Sequence, residues 1–273
     1  MRLRGNLQKM KTTLASPVVY QLPVGDDLVT LNDVIGSPIT LRYVNEINCI
    51  HCGRKTNKSF SQGYCYPCFK SLAQCDMCIV KPETCHFHAG TCREPAWAEQ
   101  HCMQDHFVYL ANSSGIKVGI TRGSQIPTRW MDQGASSAMP IFRARDRLSS
   151  GKLEMILKQH VADKTDWRKM LKGEPDGMDL AARRDALVDA SKAELQKLEK
   201  ASGSDAFEFL DNESQLAIEF PVMHYPEKVK AHNFDKTAEV TGVLNGIKGQ
   251  YLILDSGVLN IRKFGGYLLE FEA

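Results

Sequence analysis

The stretch His106-Phe-Val-Tyr-Leu-Ala111, Asn112-Ser-Ser-Gly115, Ile116-Lys-Val-Gly-Ile-Thr-Arg122, followed by Ile126-Pro-Thr-Arg-Trp-Met-Asp-Gln-Gly134, decides how this chain is read. Two runs rich in β-branched and aromatic residues flank a polar turn that ends in glycine, which is the pattern of a β-hairpin. Pro127 stands where a helix can begin without losing a needed N–H, so a short helix bearing Arg129 and Trp130 follows. Pro140-Ile-Phe-Arg-Ala-Arg145 reads as a further strand. Ser149-Ser-Gly151 reads as the cap of a helix from about Lys152 to His160, with Glu154 in its first turn. The resulting β-β-α-β-α order makes residues 106–172 a mixed unit and the chain an α+β protein.

Upstream lie all nine cysteines, between Cys49 and Cys102. No export signal precedes them, which favours metal over disulfides. Three pairs are spaced Cys-x2-Cys: Cys49/Cys52, Cys65/Cys68 and Cys75/Cys78. Two thiolates three residues apart on a tight turn reach one tetrahedral ion, and a second such turn completes the shell. Cys49, Cys52, Cys65 and Cys68 therefore predict a structural zinc site of ribbon or treble-clef spacing, with Gly53 and Gly63 at the knuckles. A second site starts from Cys75 and Cys78 and is completed most simply by Cys92 and Cys102, with Cys85 and His88 as competing ligands. Two clusters predict about two zinc ions per chain, organising rather than catalytic, since a closed shell leaves no position for a hydrolytic water.

The formal charge of +2 hides a gradient. Residues 1–106 carry 11 Lys+Arg against 9 Asp+Glu, residues 107–172 carry 12 against 5, and residues 173–273 carry 11 against 18. A basic segment between neutral and acidic ones is the distribution expected of a module that meets a polyanion. A composition of 43% hydrophobic and 24% charged residues is that of an ordinary globular protein, which excludes collagen and disorder. No apolar run approaches the roughly 20 residues of a membrane span, so no membrane partner and a cytoplasmic setting are expected.

The two ends read alike. Pro17–Leu22 and Ile39–Val44 are strand-like around a turn at Gly25-Asp26-Asp27. Ala238–Leu244, Gln250–Leu254, Val258–Ile261 and Tyr267–Phe271 are strand-like between Asn245-Gly246, Lys248-Gly249, Ser256-Gly257 and Gly265-Gly266. Gly5-x-Leu7, Leu31-Asn32, Gly36 and Ile39-x-Leu41 are echoed by Gly242-x-Leu244, Leu259-Asn260, Gly265 and Leu269-x-Phe271, which predicts two similar small β-barrel-like segments packed on one another. Between them, Leu180, Leu187, Leu195 and Leu198 predict one amphipathic helix from Met178 to about Ser202. The expected organisation is an N-terminal β segment (1–48), a zinc-binding region (49–105), the mixed core (106–172), a helix and linker (173–203) and a C-terminal β domain (204–273).

Over residues 107–165 the sequence resembles the GIY-YIG nuclease superfamily, in the branch whose second motif reads Lys-Val/Ile-Gly. Tyr109 matches the first-motif tyrosine, Lys117-Val118-Gly119 the second motif, Arg129 the helix arginine and Glu154 the metal-binding glutamate. Lys117 stands where that superfamily has its second tyrosine, and Gln133 where many members have histidine. The Cys-rich modules upstream and Gln133-Gly-Ala135 after Arg-Trp make the whole chain similar to the bacterial domain-of-unknown-function family 2797. The resemblance implies catalytic roles for Tyr109, Lys117, Arg129 and Glu154, with Mg²⁺ or Mn²⁺ on Glu154. The basic residues Lys117, Arg122, Arg129, Arg143 and Arg145 are the candidate contacts to nucleic acid, DNA or RNA. Three function classes follow: a metal-dependent endonuclease, a noncatalytic nucleic-acid-binding protein on the same scaffold, and a zinc-organised protein-interaction factor. Divalent-metal-dependent cleavage separates the first from the second, and salt-sensitive polynucleotide binding separates both from the third.

Overall fold

The alternating apolar runs at the two ends of the chain build separate sheets only in part: residues 11–30 form a three-stranded sheet of their own, while residues 2–6 and 38–48 pair with strands from the C-terminal end. In the computed structural model, which describes residues 1–161, 166–173, 175 and 177–273, the N-terminal segment forms β1 (Arg2–Asn6), β2 (Lys11–Thr13), β3 (Val19–Val24), β4 (Asp27–Thr30) and β5 (Pro38–Asn48). Next come β6 (Lys55–Thr56), α1 (Tyr66–Ser71) and α2 (Pro95–His101) in the Cys-rich region. The central unit holds β7 (His106–Asn112), β8 (Ile116–Arg122), α3 (Thr128–Asp132), β9 (Ser137–Ala144) and α4 (Arg147–Leu157). Then follow α5 (Trp167–Met170), α6 (Leu180–Ala190), α7 (Lys192–Ser202), β10 (Phe207–Phe209) and β11 (Leu216–Ala217). The chain closes with β12 (Glu239–Lys248), β13 (Tyr251–Leu254), β14 (Gly257–Asn260) and β15 (Tyr267–Glu272).

A seven-stranded sheet runs β1-β15-β5-β12-β13-β14, with β6 also on β5. Its centre is the antiparallel pair β15 and β5 (Phe271 opposite Leu41), flanked by β1 on β15 (Leu3 opposite Phe271) and β12 on β5 (Val240 opposite Leu41). The first and last strands of each terminal segment thus exchange places with those of the other. The hairpins match at a constant offset of 230: Val24 and Leu254 open them, Leu31 and Ile261 begin the buried 3-10 turns, and Gly36 and Gly266 follow at φ 87° and 84°. Leu31-Asn32 is therefore the counterpart of Ile261-Arg262, not of Leu259-Asn260, because the hairpin register fixes the correspondence. Gly5 and Gly242 do the same work in the two repeats. A Cβ on Gly5 would lie 2.2 Å from Gly25 N, and one on Gly242 2.4 Å from Asp255 Oδ1, so only glycine lets each first strand cross its own hairpin tip.

Two sequence expectations change here. Asn245-Gly246 is no turn: β12 runs through it with a bulge, and Gly246 admits Val222, whose Cα would lie 2.6 Å from a Cβ. The single helix expected over 178–202 is two helices, α6 and α7, broken at the buried Ser191.

The central sheet, β10-β9-β7-β8 with β11 also on β9, has β8 at its edge. Period-two alternation gives β7 two buried faces. Tyr109 and Ala111 join the core shared with the terminal sheet, while Val108 and Leu110 join a second core with Leu153 and Leu157 of α4, Leu180 and Leu187 of α6 and Leu195 of α7. Because α4 lies on one face and the terminal sheet on the other, the exposed edge of β8 is where elements from all parts of the chain can meet.

Candidate functional site

The first cysteine cluster is assembled by two turns. Cys49 directly follows β5 and its carbonyl accepts from Gly53 N at 2.9 Å, with Gly53 at φ 73°; Cys65 precedes α1 and Cys68 lies within it. The four Sγ atoms of Cys49, Cys52, Cys65 and Cys68 lie within 4.8 Å of one another, three of the residues being buried. Burial pushes the Cys49 thiol up, but the backbone N–H groups of Cys52, Cys65 and His51 pull it down to about 6. Burial and the neighbouring thiols push Cys68 the other way, as expected where adjacent thiols share their titration, so it is the convergence of four sulfurs that makes a group able to hold a metal ion such as zinc.

The remaining cysteines divide differently from the sequence expectation. Cys75 packs with Cys49, Cys65, Cys68 and Leu72, on the side of the first cluster. Cys78, Cys92 and Cys102 share one small cavity, and the thiol that joins them is that of Cys85. His88 is turned away, with Nε2 3.8 Å from Asp146.

Along the edge of β8 runs a cleft of about 810 Å³. Tyr109 on β7, Lys117 and Gly119 on β8, Arg129 on α3 and Glu154 on α4 all line it. A helix N-terminal assignment for Glu154 is excluded. The helix starts at Arg147, not Lys152, because the Asp146 carboxylate accepts from Ser149 N at 2.7 Å as the N-cap, which places Glu154 two turns in. Gly151, read as part of a cap, sits inside α4 for a packing reason: a Cβ there would lie 2.4 Å from Glu83 N and 2.6 Å from Pro82 C. The helix thereby docks on the Cys-rich segment, and Ile79, Val80 and Pro82 become one wall of the cleft.

Gly119 lies directly opposite Tyr109 in the ladder, and a Cβ would come within 2.6 Å of the phenolic oxygen. The glycine is what lets the tyrosine ring lie across β8. Tyr109 is fully buried, edge-on to Trp130, and donates its hydroxyl to Gln133 Oε1 at 2.8 Å. Burial raises its pKa.

The cleft is strongly cationic. Lys9, Lys117, Arg122, Arg129, Arg147, Lys158 and Arg262 line it against Asp132 and Glu154. These cations repel one another. Burial and then Arg129 lower the Lys117 pKa to about 8; burial and then Arg147 lower that of Arg122; burial and then Arg129 lower that of Arg262. Burial likewise pushes the Glu154 carboxyl up, opposed by Lys158, whose Nζ is 3.2 Å from Oε1. An anion entering the cleft relieves the repulsion, and a cation beside Glu154 favours its ionised form.

Two expected nucleic-acid contacts are not brought here. Arg143 on β9 pairs with Asp105 and Glu208, and Arg145 pairs with Asp205 and Asp146. In their place come Lys9 and Arg262 from the two terminal repeats. Lys9 pairs with Asp132, and Arg262 donates to Gln62 Oε1 at 2.6 Å. Nothing in the local sequence marks them, since neither sits in a basic run; only the sheet pairing carries them to β8. Arg147 lies in the basic run Arg143-Ala-Arg145-Asp-Arg147 but is not among the expected contacts. Its guanidinium donates to the carbonyl oxygens of Cys78 (3.1 Å) and Ile79 (2.7 Å), tying α4 to the Cys-rich segment.

Fold and site together define a mixed α/β protein with several sheets, a thiol cluster able to hold a metal ion, and a buried-edged cationic cleft. The chain belongs to the family described as protein of unknown function DUF2797, whose family model matches residues 36–269. No curated protein and no solved structure matches it. No helix among the described residues is long and apolar enough to cross a membrane.

Proposed function

We propose that this chain is a zinc-organised protein that binds nucleic acid in the β8 cleft and hydrolyses its phosphodiester backbone with the help of a divalent cation, as the GIY-YIG resemblance implies. One observation carries the reading: Tyr109, Lys117, Arg129 and Glu154, borne on four different elements, line one cleft together with further cations. Arg129, Arg122 and Arg262 are the phosphate contacts, since guanidinium groups give charge-assisted, directional hydrogen bonds to phosphate oxygens. Glu154 supplies the hard oxygen ligand suited to Mg²⁺ or Mn²⁺, and such a cation neutralises charge developing on the scissile phosphate.

Water attacks phosphorus as the P–O bond to the leaving sugar oxygen breaks; the water's proton goes to Lys117, and the leaving alkoxide takes a proton from solvent in the open cleft. An ordinary lysine is almost wholly protonated at pH 7, but one with a pKa of about 8 is neutral in about a tenth of the molecules, enough to serve as base. Tyr109, with its pKa raised by burial and its hydroxyl on Gln133, is a positioning residue that fixes α3 and hence Arg129. That hydroxyl's engagement is also the observation that favours the second reading, binding without cleavage.

Cleavage of labelled single- and double-stranded polynucleotides with Mg²⁺ or Mn²⁺ decides between them. Glu154→Gln should abolish cleavage and leave affinity nearly intact, whereas Arg129→Ala should weaken both. Wild-type protein that binds but never cuts would establish the noncatalytic reading. Absence of salt-sensitive binding would remove both.

A further inference from the structure

The stretch 76–102 holds its shape without a core. It contains three 3-10 turns, Met77–Ile79, Pro82–Thr84 and Phe87–Ala89, and the two-turn helix α2. Among the described residues, none of its side chains enters any of the hydrophobic clusters, and its apolar Met77 and Val80 are 61% and 78% exposed. Beyond its docking on α4, so little apolar burial is what a metal ion would supplement. No disulfide does so, since all nine cysteines are free thiols.

Four of those cysteines line one cavity. Cys78 comes from the first 3-10 turn, Cys85 follows the second, Cys92 precedes α2 and Cys102 closes it, so four separate points of the chain come to a single cavity of about 10 Å³, with their sulfurs spread more widely than the 4.8 Å of the first cluster. Nothing local forces this, because the spacings of six, six and nine intervening residues are too long for a single knuckle. We propose that Cys78, Cys85, Cys92 and Cys102 hold a second zinc ion in a closed, all-thiolate tetrahedral site.

A rival group, Asp76, Cys78 and His86, has ligand atoms within 4.8 Å of one another. Its oxygen and nitrogen atoms are already engaged, with one another and with Met77, Arg93 and Thr91. The Asp76 carboxylate accepts from Met77 N at 2.6 Å and pairs with the Arg93 guanidinium at 2.8 Å. His86 sets Nδ1 2.7 Å from Thr91 Oγ1 and Nε2 3.4 Å from Asp76. Asp76, His86 and Arg93 are a polar brace around the thiols, of the kind that orients ligands from outside the shell. Softness points the same way, since zinc in structural sites prefers thiolate sets to carboxylate.

The ion would hold the cleft wall. Arg147 grips the carbonyls of Cys78 and Ile79, and Pro82 and Glu83 fill the space left by Gly151, so the cavity of thiols and the helix bearing Glu154 are one packed unit.

Elemental analysis of the full-length protein should give two zinc ions per chain. Cys85→Ser and Cys92→Ser should each lower the count to one, while His86→Ala and His88→Ala keep two. A count of one or none in wild type, or zinc lost with His86→Ala but kept with Cys92→Ser, overturns the assignment. Should the serine variants prove insoluble, zinc X-ray absorption of the wild type decides. A shell of sulfur alone at about 2.3 Å is expected, and a nitrogen or oxygen contribution refutes the four-thiolate site.

Discussion

Replacing Gly119 by alanine tests whether the cleft is built around the Tyr109 ring. The new Cβ would lie 2.6 Å from the phenolic oxygen, 2.7 Å from Cζ and 3.1 Å from Cε2, where ordinary contact begins at 3.4 Å. The ring must retreat by roughly 0.8 Å to restore that contact, against the packing and hydrogen bond that hold it. Tyr109 is fully buried, its ring centroid is 5.9 Å from that of Trp130, and its hydroxyl is held on Gln133. Overpacking of this kind costs about 1–3 kcal/mol, which in a chain of this length lowers Tm by several degrees. Denaturant and thermal unfolding of Gly119→Ala, Tyr109→Ala and the double variant form the assay. With the ring gone the added methyl fits, and alanine in a strand is then neutral or better than glycine by about 0.5–1 kcal/mol. The two substitutions should therefore be strongly coupled, with the cost of Gly119→Ala vanishing in the Tyr109→Ala background. Equal cost in both backgrounds, or no cost in wild type, would show that the ring does not lie over Gly119.

Lys117→Met should flatten the pH dependence of stability between about pH 8 and 10.5. A buried lysine whose pKa falls from 10.5 to about 8 on folding binds its proton less well when folded, so its titration disfavours the folded state fully below pH 8 and less as pH rises toward 10.5; a difference between wild type and variant that is independent of pH refutes this. Arg262→Glu and Lys9→Glu, remote in sequence from the basic segment, should each weaken polynucleotide binding severalfold and flatten its salt dependence, whereas Arg143→Glu should change neither beyond experimental error. Removing metal with a strong chelator should unfold the region around Cys49–Cys68 cooperatively, because the binding energy of a structural zinc is folding energy; unchanged circular dichroism and protease resistance in the metal-free protein would contradict it.

How far the sequence can be read depends on how local the deciding interaction is. The β7–β8 hairpin was legible to within a residue because alternation and a glycine turn are local signals. The start of α4 was not, since Ser149-Ser150-Gly151 has the composition of a cap. What decides it is that the Asp146 carboxylate reaches Ser149 N, and that Gly151 is demanded by the backbone of Pro82 and Glu83, far upstream. Of the cysteine clusters, the first was legible because each knuckle is a three-residue step. The second was ambiguous because its thiols come from four separate turns, and only the fold sorts Cys75 to one side and Cys85 to the other.

Net charge by segment misleads for a related reason. The acidic C-terminal block places its acids against surface cations, Glu239 and Glu270 on Arg42 and Asp205 on Arg145, and still delivers Arg262 to the cleft. The repeat explains how. Arg262 is the counterpart, 230 residues on, of Asn32, and both sit second in their 3-10 turns. In the N-terminal repeat the Asn32 side chain serves its own fold, accepting from Tyr20 N at 2.8 Å and donating to the Val18 carbonyl at 2.9 Å. In the C-terminal repeat the equivalent position is occupied by a long cation directed at β8. Two copies of one β unit, joined by exchange of strands about the β5–β15 pair, thus differ at the same turn: one stabilises its hairpin, and the other contributes a charge to the site. Arg262 is half-buried there and its guanidinium also donates to Gln62 Oε1. On the proposed nucleic-acid-binding reading, the platform beneath β8 supplies a cation as well as rigidity.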